Sequence, residues 1–143
     1  MEYDIERFII AQERDYDKAF KEIKSGLKQS HWMWYIFPQL KSLGHSQTAK
    51  YYGITNLEEA KDYYNNVYLK NNLINICQEL LLLDDDIENI FGYPDYLKLK
   101  SCMTLFELVD DKEIIFKEVL NKFFSDERDE QTKILVKSEK EGG

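Results

Sequence analysis

The sequence predicts an all-α protein, mainly helical, with about six to eight helices in one compact orthogonal bundle over residues 1–136. Three observations carry that expectation. Apolar residues return at intervals of three and four along most of the chain, as in Tyr16, Ala19, Phe20 and Ile23, or Leu69, Leu73, Ile76, Cys77 and Leu80. Alternating apolar and polar runs are few, and no Asn-Gly pair marks a hairpin. Helix caps and stops, among them Gly26, Ser46, Gly53 and Gly92, fall between the periodic stretches. A chain of 143 residues that is 43% hydrophobic is large enough to bury such a core.

The spacing predicts a short helix over residues 4–12, with Ile5, Phe8 and Ile9 inward and Arg7 and Gln12 off that stripe. A second helix over 15–25 stops at Gly26. Beyond an aromatic stretch, Leu43-Gly44 makes a turn and Ser46 caps a short helix that ends at Gly53. Either Thr55 or Asn56 caps LEEAKDYY, whose Glu58 and Glu59 lie where the helix dipole favours them. The most apolar helix carries Leu69 to Leu80 and runs out at Asp84-Asp85-Asp86. A short helix near 86–91, a helix from Asp95 to Val109 and a long one over 111–124 follow. One turn is expected at 132–136, and disorder over 137–143.

The aromatic stretch is Ser30 to Gln39, SHWMWYIFPQ. Burying Trp32, Trp34, Tyr35 and Phe37 removes roughly 600–1000 Å² from water, a gross upper limit of about 15–25 kcal/mol. Such a stretch belongs beneath other elements or beneath a ligand. As a helix it would set Trp32 against Ile36, with Ser30 as N-cap; as extended chain it would align Trp32, Trp34 and Ile36. Pro38 ends either element. The stretch reads as a core segment. Its polar edges, Ser30, His31, the indole N–H groups and Gln39, read also as the lining of a pocket with an aromatic floor.

Charge and composition narrow the function. A net charge of −8 argues against binding nucleic-acid backbones or anionic membranes. No run approaches the roughly 20 apolar residues of a membrane span, and the start MEYDIERF is unlike a signal peptide. Cys77 and Cys102 sit in apolar helical patterns, which suits buried free thiols in a reducing cytoplasm. No dinucleotide or nucleoside-triphosphate loop is present, and two histidines with two distant cysteines give no ordinary zinc spacing. Asp84, Asp86 and Glu88 do not continue as a calcium loop, because Asn89 stands where its glycine would be. No cofactor or metal is expected, and nothing fixes an oligomeric state.

One asymmetry stands out. From Ile23 to Leu57 the chain has no Asp or Glu but carries Lys24, Lys28, Lys41 and Lys50, so this window is +4 and the remainder −12. That predicts a locally positive surface around the aromatic stretch, suited to an anionic small molecule. The helix DYLKLKSCMTLFELV adds to it. At 100° per residue, Leu99, Cys102, Met103 and Phe106 face the core while Lys98, Lys100, Ser101 and Thr104 lie on the opposite arc. Two lysines flanking two hydroxyls read as a phosphate or carboxylate site, or as an ordinary solvated face.

The blocks RFIIAQ at 7–12, KQSHWMWYIFPQL at 28–40, LGHS at 43–46, LEEA at 57–60 and IFGYPDYLKLKSCMTLF at 90–106 resemble the bacterial domain-of-unknown-function family eighteen-ten, whose members are sometimes mislabelled calpastatin. The resemblance covers residues 3–136 and implies a small, mainly helical cytoplasmic protein with no established activity. In that family a His-Pro and a Gly usually stand between the middle helices, where this chain has NNVYLKNN from Asn65 to Asn72. Cys102 stands where the family commonly has Ser, so no catalytic hydroxyl is assigned there.

The polar members of these blocks are the candidate ligand-binding residues: Arg7, Gln12, Ser30, Trp34, Gln39, Ser46, Tyr52, Lys98, Lys100, Ser101 and Thr104. His31 is either a core histidine or the acid/base should a ligand be hydrolysed. The leading expectation is a pocket between SHWMWYIFPQ and KLKSCMTLF that holds an anionic, nucleotide-like small molecule, with an aromatic ring stacked on its base. The rival is a non-enzymatic adaptor that docks another protein through the aromatic stretch.

Overall fold

The structure, a computed structural model, describes residues 3–142. Among the described residues there are nine α-helices and no strand. The first, α1, runs Glu6–Lys24 without interruption, where the sequence predicts two helices. Glu13 and Arg14 break the apolar stripe but are good helix formers, and no Gly or Pro stands between the two patterns. Arg7 and Gln12 belong to its buried face with Phe8, Ala11, Ala19 and Ile23. Gly26, in the left-handed region at φ +83, turns the chain out of the helix.

The aromatic stretch is neither strand nor long helix. It forms a single turn, α2 (Met33–Ile36), which ends at Phe37, outside helical geometry, before Pro38. Ser30 does not cap it. The chain then makes a parallel bridge between Leu40 and Ile54, closing a loop that holds a 3-10 turn at Lys41–Leu43 and α3 (Gln47–Tyr52). The Ser46 hydroxyl caps α3 by accepting the Ala49 N–H at 3.0 Å.

Next come α4 (Leu57–Asn65), α5 (Val67–Leu81), α6 (Ile87–Phe91) and α7 (Asp95–Val109). Asn56, not Thr55, caps α4, accepting the Glu59 N–H at 2.9 Å. α8 covers Ile115–Phe124, starting later than the predicted 111, because Asp110–Glu113 is spent on a turn. α9 runs Glu130–Gly142, so residues 137–142, expected to be disordered, continue a helix; Gly143 lies outside the described residues. Two anchors account for the extra turns: Thr132 and Val136 are buried against the core, and the Glu139 carboxylate accepts the Leu57 N–H at 3.0 Å.

α7 is the central element, packed against α4, α6, α8 and α9, while α5 lies between α1 and α8. Phe8 meets Tyr63 edge-on at 5.0 Å and Trp32 packs on Phe37 and Phe91 at 6.0 and 6.2 Å. Cys77 and Cys102 are free thiols wholly inside this core, and burial pushes both well above the ordinary cysteine range. No helix among the described residues is long and apolar enough to cross a membrane.

Candidate functional site

A carboxylate on α1 sets the geometry of the segment leading into α2. Glu22 accepts the backbone N–H groups of Gln29 and Ser30 at 2.7 and 2.9 Å, the Ser30 hydroxyl at 2.6 Å and the Trp32 indole N–H at 2.9 Å. Partial burial opposes its charge, but these hydrogen bonds outweigh it and hold its carboxyl down at about 2. The Lys28 N–H donates to the Ile90 carbonyl at 2.7 Å, which docks the same segment beside the end of α6.

This anchoring delivers Lys28 to the start of α7. Its ammonium pairs with the Asp95 carboxylate at 2.8 Å, donates to the Ser30 carbonyl at 2.5 Å and lies 4.8 Å over the Trp32 ring. Lys98, one turn along α7, donates to the other Asp95 oxygen at 3.1 Å and stands 5.9 Å from the Trp34 ring. Burial works against the Asp95 charge, yet the hydrogen bonds from Lys28 and Lys98 prevail and keep its carboxyl below the usual range. The Lys28 side chain is 7% exposed and that of Lys98 29%, so Lys28 is fixed while Lys98 faces outward.

Beside this lysine–carboxylate–lysine group lies a cavity of about 170 Å³. Met33 and Trp34 wall it, Ser46 and Thr48 reach it from the start of α3, and His31 stands exposed on its lining. The Ser46 oxygen already accepts the Ala49 N–H, so its own proton remains to be given. The side chains of His31 and Thr48 have no hydrogen-bond partner among the described residues. The lining is therefore rich in unspent donors and carries one extra positive charge with His31 neutral.

Trp34 is a wall and not a stacking platform. It is 6% exposed, and a methyl group on Gly44 would lie 2.5 Å from its Cζ2 and 2.7 Å from the Ala49 Cβ. Gly44→Ala is accordingly expected to cost about 1–3 kcal/mol by overpacking and to displace the indole toward the cavity. Urea denaturation followed by tryptophan fluorescence checks both effects; an unchanged midpoint and emission maximum would disprove the contact.

Of the residues singled out in the sequence, His31, Trp34, Ser46 and Lys98 come together here. The others go elsewhere. Ser30 adjoins the site but is given to Glu22. Arg7 pairs with buried Glu59 at 2.9 Å, and Gln12 binds the Tyr35 carbonyl and Tyr63 hydroxyl, both at 2.8 Å, while its own oxygen accepts from Asn72. Tyr52 packs on Tyr35 at 4.9 Å, and Gln39 is buried beside the bridge to Ile54. Lys100 reaches Glu127 at 3.4 Å. The hydroxyls of Ser101 and Thr104 turn back to the Leu97 and Lys100 carbonyls, and Thr104 also receives the Asp129 N–H at 2.9 Å. The aromatic stretch as a whole is interior and presents no broad docking surface.

Sequence reasoning passed over Lys28, Met33, Thr48 and Asp95 as lining residues. Lys28 opens the KQSHWMW block, and Asp95 and Lys98 share the i,i+3 spacing of a helix ion pair, which were the available signals. A larger depression, about 630 Å³, lies elsewhere, along α8. It is open surface whose cations are occupied: Lys122 donates to the Leu81 carbonyl at 2.7 Å, Lys117 to the Asp111 carbonyl at 2.8 Å, and Arg128 pairs with Glu107 and Asp126. No group of metal-ligating side chains occurs among the described residues.

Fold and site together define a small helical protein with a polar cavity between a tryptophan-bearing turn and a central helix. The chain belongs to the family described as "Protein of unknown function (DUF1810)", which matches residues 2–136. It is similar to the conserved hypothetical protein Rv1873 of Mycobacterium tuberculosis, known from a crystal structure, with 39% identity, a TM-score of 0.92, and coverage of 94% of this chain and 97% of that one. No curated protein matches it.

Proposed function

We propose that this protein binds a small anionic molecule through its phosphate or carboxylate group in the cavity beside Lys98. The observation that carries this reading is convergence. Donors from three separated parts of the chain, His31, Ser46 with Thr48, and Lys98, face one space, and a second lysine holds the carboxylate that positions the first. Charge-assisted hydrogen bonds of this kind are roughly twice as strong as neutral ones. At about 170 Å³ the space is smaller than the roughly 300–1000 Å³ typical of enclosed organic ligands, so the anionic end is what it grips. His31, exposed on the lining, is the group placed to move a proton if a bond in the ligand is broken.

Thermal shift and calorimetric titration with orthophosphate test the reading. A ligand at one hundred times its Kd stabilises the fold by about 2.7 kcal/mol, a shift of several degrees. Lys98→Ala is expected to weaken binding about tenfold or more, while Lys100→Ala, on the same helix but paired with Glu127, leaves it unchanged. Equal loss in both variants, or none in either, would move the site off this cavity.

A further inference from the structure

Resting on that reading, we infer that the ligand is a short, hydroxylated phosphate ester of sugar- or glycerol-phosphate size, whose hydroxyl group donates to Asp95 while its phosphate meets Lys98. Size comes first. At about 170 Å³ the cavity falls below the roughly 300–1000 Å³ of sites that enclose organic ligands, which suits a phosphate on a short hydroxylated chain. A nucleotide calls for a larger space, and Trp34 offers no open face for its base.

The second argument is the mixed sign of the lining. Asp95 spends one lone pair of each oxygen on a lysine, and a carboxylate has about four such sites, so acceptor capacity remains. A simple oxyanion filling the cavity would meet repulsion at Asp95, whatever it gained at Lys98. A ligand hydroxyl finds an acceptor. An ammonium group would satisfy the carboxylate as well, but both oxygens already carry a lysine ammonium, so a neutral donor is favoured over a cationic one. The remaining donors approach from three directions, His31 from the segment before α2, Ser46 and Thr48 from α3, and Lys98 from α7. That arrangement suits the three terminal oxygens of a phosphate better than the two of a planar carboxylate.

The test compares two esters of similar size, glycerol 3-phosphate and propyl phosphate, with orthophosphate and adenosine monophosphate alongside, by calorimetric titration of the full chain. Glycerol 3-phosphate is expected to bind at least tenfold more tightly than propyl phosphate. In Asp95→Asn, which removes the competing charge and weakens the acceptor, orthophosphate and propyl phosphate tighten severalfold and the preference for the glycerol ester falls below about threefold. Equal wild-type affinity for the two esters, or tighter binding of the nucleotide, overturns the assignment and leaves the anion site standing. Failure of all four to bind overturns both. The wild-type comparison decides the matter even if Asp95→Asn does not fold.

Discussion

Arg7→Met is expected to lower the stability of the protein by about 3–5 kcal/mol, the cost of removing one partner from a buried ion pair. Arg7 is 8% exposed and Glu59 2%. The guanidinium gathers three parts of the chain: Nε donates to the Tyr51 carbonyl at 2.9 Å, Nη2 to the Gly53 carbonyl at 3.2 Å and to Glu59 at 2.9 Å, and Nη1 to the Asp4 carbonyl. Glu59 in turn accepts the Thr55 N–H at 2.7 Å. Truncation leaves a charged carboxylate inside the fold with nothing opposite it, along with orphaned carbonyls. The double variant Arg7→Met with Glu59→Gln removes the buried charge and is expected to recover part of the loss, which distinguishes an unpaired charge from lost packing. Urea unfolding of the three proteins measures it; a single-variant loss below about 1 kcal/mol would contradict the pairing. Folded Arg7→Met protein keeps its ligand affinity, because Arg7 does not line the cavity.

Arg7 also shows where a sequence becomes hard to read. Its place on α1 was legible, but the reason for its burial lies some 44 to 52 residues away, at Tyr51 through Glu59, and no local pattern announces it. Gln12 is the same case, its partners being Tyr35, Tyr63 and Asn72. Ser101 and Thr104 were misplaced for a different physical reason. On an isolated helix they lie opposite Leu99 and Phe106, so periodicity assigns them to water. α7 is instead covered on that side too, by α9 and the turn at Asp129, and their hydroxyls fall back on carbonyls of their own helix. Caps depend only on neighbours, which is why Ser46 could be found and the cap of α4 narrowed to Thr55 or Asn56. The stretch without carboxylates, Ile23 to Leu57, supplies His31, Trp34 and Ser46 to the cavity lining. It also hid Asp95: a search for positive charge overlooks the acid that positions it.

Glu22→Gln is the second large effect, and acid exposes it. The four hydrogen bonds on Glu22 fix the Gln29–Trp32 segment, and with it His31 and the path of Lys28 toward Asp95. A carboxyl held at about 2 in the folded protein and near an ordinary glutamate value of about 4.3 in the unfolded chain stabilises the fold fully above the higher value. That contribution is lost as pH falls from about 5 toward 2; allowing for solvent screening of a half-buried group, it amounts to about 2 kcal/mol. The amide oxygen of Gln can stay on the Gln29, Ser30 and Trp32 N–H groups, but without the charge that strengthens those bonds, and its NH₂ meets the Ser30 hydroxyl where the second carboxylate oxygen had accepted. At neutral pH the variant should therefore be less stable by about 2–3 kcal/mol, with the Trp32 indole losing its charged partner. By pH 3 the gap should have roughly halved, and the two proteins should converge only near pH 2, where wild-type Glu22 takes up its proton in the folded state. Urea midpoints taken from pH 7 to pH 2 read this directly. A stability gap that stays constant across that range would show that the Glu22 charge does not hold the segment. A gap that closes while orthophosphate affinity at neutral pH also falls in the variant would tie the anchoring carboxylate to the site it serves.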